Sequence, residues 1–187
     1  MNQMNSAPGE RKRERTQFRA TEYLVNFGDG PVPGRVHQNP DGSPGGLVAD
    51  TAEAAPTAHV GRDARVYGNA RVFGTSRIEG NAKVLENARV DDADIRGSAQ
   101  IKGNATIDGA IVEGYAVVSD TARVGAGARV DGNAKVRGAA KVLGEAIVDG
   151  DALVEGSAWV SGGRITGGAR VRDGVVRAGE VLGGDDA

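Results

Sequence analysis

Cysteine is absent from this 187-residue chain, which excludes disulfides, zinc thiolate sites and thiol catalysis. Aromatic residues make up only 4%, so bulky rings cannot fill the interior. Histidine is scarce, with His37 and His59 the only two. Neither end carries the apolar run of a signal peptide, and no stretch approaches the ~20 apolar residues that span a bilayer. The expectation is a soluble, cytoplasmic protein without a membrane partner, or a virion component if phage-encoded. A formal net charge of -2 gives no overall bias toward nucleic acid, so charge acts only locally.

What the chain does have is glycine, 30 residues of it, and a repeat. Aliphatic residues recur at a spacing of six from Val60 through Val66, Val72, Ile78 and Val84 to Val90. The ladder resumes at Ile95, Ile101 and Ile107, runs from Val112 to Val160, and continues through Ile165 and Val171 to Val176 and Val181. Backwards, the register reaches Ala54 and Val48. The residue two before each rung is small almost throughout, as in Ala64, Ala70, Ser76, Ala82 and Ala88. On a strand of period two, both residues point inward. One aliphatic and one small residue per strand suit a narrow coil interior at normal packing density. Gly-Asn pairs such as Gly68-Asn69 and Gly132-Asn133 mark the corners, where positive φ is tolerated.

Units beginning at Val90, Ile107, Val160, Val171 and Val176 have five residues, and counting in threes from Val48 puts all but Val171 at one corner. That regularity predicts an all-β fold, a triangular parallel β-solenoid of about eight coils standing about 40 Å tall at ~4.8 Å per strand. The expected divisions are a basic arm over 1–17, a strand-like cap and Pro/Gly-rich linker over 18–47, the solenoid over 48–182 and an acidic tail over 183–187.

Units such as Val66 to Arg71 and Val130 to Lys135 carry an aliphatic residue followed four positions later by a small one. In this the chain resembles the hexapeptide-repeat family over nearly three quarters of its length. The resemblance implies a single-stranded left-handed parallel β-helix, against the usual right-handed crossover. Glycine here usually stands two after the aliphatic residue, where the family often places it one after, as in Val60-Gly61 and Val124-Gly125. Right-handed solenoids, including the bactofilin-like polymer-forming proteins, are therefore the second reading.

The family's best-known members are acyltransferases, many of them trimers with a histidine in the cleft between neighbours. His59 is the one candidate base, with acyl-CoA or a related donor as the implied cofactor of that alternative. A lone outward histidine is more often a solvated one, because a site needs several converging groups. His37 falls in a Pro/Gly-rich loop. Such enzymes also tend to extrude a loop from a coil, and this repeat contains only deletions. The related γ-class carbonic anhydrases need three zinc-binding histidines, which two cannot supply. Asp91, Asp92 and Asp94 lack the oxygen-rich loop calcium requires and read as a solvated corner. The Gly125 to Gly127 run lacks a Walker lysine and reads as another corner.

Stacking the units in threes groups the outward residues into faces. One carries Arg71, Arg89, Arg123 and Lys141 beside Phe73, Asp91, Asp108, Leu143 and Trp159. A second carries Tyr67, Leu85, Lys102, Val117, Arg137 and Leu153. The third carries Ile111 and Ile147 among alternating charges such as Arg77, Glu79, Asp94, Arg96 and Arg129. Leu143, Trp159, Val117, Leu153 and Ile147 concentrate in the later coils and are the candidate self-association residues. The chain itself, as a trimer or higher, is the expected partner, with another protein of a larger assembly as a further one. In the arm, Arg11, Lys12, Arg13, Arg15 and Arg19 could touch an anionic partner, although a few cations bind nucleic acid only weakly. The leading expectation is a noncatalytic scaffold or interaction protein with no metal or cofactor. The alternatives are a divergent acyltransferase using His59 and an adaptor working through the arm.

Overall fold

A computed structural model describes residues 23–27 and 30–184. These form 26 strands and, among the described residues, no helix, hence none long and apolar enough to cross a membrane. The chain opens with three antiparallel strands, β1 (Tyr23–Asn26), β2 (Pro31–Gln38) and β3 (Pro44–Ala49). From β3 onward each strand pairs in parallel with the strand three places further on. Three sheets result, of ten, eight and eight strands, wound into a β-solenoid of about eight turns. The first sheet contains β1 to β3. The second begins with β4 (Glu53–Ala54) and the third with β5 (His59–Val60).

The parallel register aligns like with like: Val66 with Val84 in the first sheet, Val72 with Val90 in the second, Ile78 with Ile95 in the third. Aliphatic and small rows both lie inside, and residues such as Val84, Ala88, Ile101 and Ala105 are wholly buried. With alanine opposite a branched side chain, the coil closes without aromatic bulk. Ser76 sits in the small row because its hydroxyl is satisfied twice, donating to the Phe73 carbonyl (2.6 Å) and accepting from the Ala93 amide (3.2 Å).

The corners after the third sheet show why glycine is so abundant. Gly114, Gly132 and Gly150 stack at φ of +69°, +67° and +69°. A Cβ on Gly132 would lie 2.9 Å from the Gly150 amide nitrogen, so both conformation and space demand glycine there. At other corners acidic residues take up positive φ, as in Glu86, Asp92, Asp120 and Asp173. Their side chains bond across coils: Glu86 accepts from the Gly103 amide and Asp120 from the Gly138 amide, each at 2.8 Å.

Two departures from the sequence expectation stand out. The segment read as a Pro/Gly-rich loop around His37 is β2, because its backbone pairs on both sides, with β1 and with β3. The ladder also ends differently. Leu182, not Val181, aligns with Ile165, and Val181 is 65% exposed. The turn between Arg177 and Glu180 absorbs an additional residue. There the Arg177 amide donates to Glu180 Oε2 (2.9 Å) and the Glu180 amide to the Arg177 carbonyl (3.0 Å). The unit beginning at Val176 therefore has six residues, not five.

Candidate functional site

His59 lies in β5, half-buried, aligned with Arg77 of the next coil. Its nearest ionisable neighbours are already engaged. The Glu79 carboxyl is held below its ordinary range first by hydrogen bonds from Arg77, with His59 a minor contributor. Asp41 is lowered first by the Ser43 hydroxyl (2.7 Å) and then by the Ser43 amide (2.9 Å), again with a minor contribution from His59. Among the described residues, no hydrogen bond or ion pair reaches the His59 ring.

His37 has a structural task that the sequence reading missed. Buried in β2, its Nε2 lies 2.9 Å from the Ala58 carbonyl, while Asn39 Oδ1, also buried, accepts from the Val60 amide at 2.8 Å. Together they occupy the free edge of the third sheet, replacing the strand that would otherwise pair there. Phe27 stacks on Tyr67 with ring centroids 4.9 Å apart, fastening β1 to the first coils. A concavity of about 710 Å³ remains between Arg35 to Pro40 of this cap and Ala54 and Pro56.

The five expected self-association residues do not form one patch. Val117 and Leu153 lie in the first sheet, separated by Lys135. Leu143 and Trp159 lie in the second, and Ile147 in the third between Arg129 and Arg164. Of the five, Trp159 is the most open, at 48%, and the other four are half-buried. Two residues passed over in the sequence are more exposed: Val175, at 52% and in register with Trp159, and Tyr115, at 70%. Val175 was recoverable, since it occupies the outward position before Val176. The cationic residues Arg11 to Arg19 lie outside the described residues.

Asp91, Asp92 and Asp94 take separate partners. Asp91 pairs with Arg89 (3.1 Å) and Asp94 with Arg96, while Asp92 accepts from the Thr75 amide (2.8 Å) and hydroxyl (3.0 Å). The Thr75 amide is the main reason the Asp92 carboxyl sits below its usual value. Asp173 repeats the motif with the amide and hydroxyl of Ser157. Among the described residues, no three His, Asp or Glu side chains are placed to share a metal ion.

One concavity on the solenoid wall is flanked by two cations, Arg123 and Lys141, that have no carboxylate partner among the described residues. A groove of about 360 Å³ crosses the second sheet, lined by Thr106, Asp108, Arg123, Lys141, Leu143 and Trp159 over a floor of Val124, Gly125 and Ala126. Gly125 aligns with Asp108, and a Cβ there would meet the Asp108 carbonyl at 3.0 Å and the Leu143 side chain at 3.5 Å, so glycine lets the two neighbouring coils pack closely. No protein-family model matches this chain, and no curated protein does either.

Proposed function

We propose that the chain is a noncatalytic β-solenoid scaffold or interaction protein, working by shape and contact within a self-assembled or larger structure such as a phage or bacterial component. The left-handed, three-sided winding of hexapeptide-repeat proteins belongs to this reading, and its three-sidedness is supported by the three sheets.

The observation that carries it is where apolar surface lies. Of the large exposed apolar side chains, Leu24, Val32 and Val36 are on β1 and β2, and Trp159, Val175, Val181 and Leu182 are on the last two coils. The coils between contribute Tyr115. Apolar exposure gathered at two ends suits contacts made at the ends of a rigid rod, since scattered single residues need no explanation but clusters do. Light scattering over a concentration series tests this. The expected result is a mass above that of one chain, reduced toward it in Val175→Glu, Val181→Glu. A mass equal to one chain at every concentration, unchanged in the variant, removes self-association from the reading.

A further inference from the structure

The outward row of the second sheet runs in register as Arg71, Arg89, Thr106, Arg123, Lys141 and Trp159. The earlier cations are engaged. Arg71 reaches Glu53 at 4.0 Å, and Arg89 bonds Asp91 while its guanidinium lies 5.1 Å from the Phe73 ring centre. Arg123 and Lys141 differ: neither charge has a carboxylate or hydrogen-bond partner among the described residues, and the Lys141 ammonium rests 5.6 Å from the Trp159 ring centre. Both flank the groove over Gly125, with Asp108 and Thr106 opposite.

Backbone conformation singles out the same place. Ala126 has φ +53°, whereas every other non-glycine residue at positive φ among the described residues is Asp or Glu. Alanine has no side-chain oxygen to offset the cost of this conformation. The strain is held by bonds across coils, from the Ala126 amide to the Asp108 carbonyl (3.2 Å) and from the Glu145 amide to the Ala126 carbonyl (3.1 Å). A strained corner beside a groove whose two cations lack carboxylate partners is a place to look for function.

We infer that this groove binds a carboxylated sugar, of the hexuronate class, as a unit of an acidic glycan. The two cations and Asp108 leave the lining one positive charge in excess, which matches a monoanion better than a phosphate dianion. The Arg123 guanidinium offers the planar fork that holds a carboxylate through two hydrogen bonds. Asp108 and Thr106 supply acceptors for sugar hydroxyls, which an aliphatic carboxylate could not use. The part of the Trp159 ring left exposed beside the Lys141 ammonium, amphipathic and rigid, gives the apolar face of a pyranose a surface to lie against. The inference goes beyond the scaffold reading and does not depend on self-association.

Trp159 is the only tryptophan, so its fluorescence reports the groove directly. Titration with D-glucuronate at fixed ionic strength should give a saturable change, at least tenfold weaker with D-glucose or inorganic phosphate. Arg123→Met and Lys141→Met should each weaken it about tenfold without moving the thermal midpoint, and Arg65→Met on the first sheet should leave it unchanged. In amide spectra glucuronate should shift Gly125 and Ala126. Equal responses to glucose or to phosphate, no saturation, or shifts confined to amides on other sheets would each overturn the inference, whatever mass light scattering gives.

Discussion

The second and third sheets share one interior and one register, yet their outer faces are finished differently. On the third, arginines meet carboxylates at nearly every coil. Arg77 pairs with Glu79 (2.7 Å), Arg96 with Asp94, Arg129 with both Glu113 (2.5 Å) and Asp131 (3.0 Å), and Arg164 with Asp149 (2.6 Å). On the second sheet the pairing stops after Arg89, and Arg123 and Lys141 are left beside a groove and an exposed indole. The fold needs only the inward residues, so the outward ones are free to differ. A face whose charges cancel is a completed solvated surface, while one with unspent cations keeps capacity for a ligand.

The largest effects should come from what the two sheets have in common. Ile107 in the second and Ile95 in the third are wholly buried, so truncating either to alanine should cost about 2–5 kcal/mol. Denaturant unfolding should show similar losses for both, and a loss confined to one would mean that the sheets do not rest on one interior. A smaller effect should separate the outer faces. Arg129→Met leaves Glu113 and Asp131 facing each other without their cation and should cost up to ~1 kcal/mol, as half-exposed ion pairs do. Arg123→Met should cost nothing measurable in the same experiment. Equal losses from the two arginines would erase the contrast between the faces.

That contrast was only half legible in the sequence. Period two along a strand and a repeat near six placed Val90, Ile107 and Val124 inward, and put Arg71, Arg89, Arg123 and Lys141 together on one face. Repetition makes such positions redundant, so each coil checks the others. Some ion pairs were legible too, since Arg89 meets Asp91 two places on in its own strand while Gly125 stands at the same place after Arg123. Pairs made across coils, such as Arg129 with Glu113 and Arg164 with Asp149, were not. The roles of His37 and Asn39 were hidden for a related reason. Their partners, Ala58 and Val60, are 21 residues away on a different sheet. At Leu182 the register failed because the ladder has no later coil to correct it.

The smallest expected effect is also the most selective for the third face. Asp131 is held below its ordinary value of 3.8 first by the Arg129 guanidinium and then by the Gly132 amide (2.6 Å). A carboxyl with a depressed folded pKa binds its proton more weakly in the folded than in the unfolded state. Its stabilisation is present above the unfolded value and is lost as pH falls through the folded one. Removing Arg129 takes away the main cause of the depression. Thermal midpoints followed from about pH 6 to about pH 2.5 should therefore fall less steeply below pH ~4 in Arg129→Met than in the unaltered chain. Arg123→Met, which leaves every third-sheet pair intact, should track the unaltered chain throughout. Parallel profiles for all three would mean that the third face's ion pairs carry no acid-dependent stability, and the comparison would then rest on the groove alone.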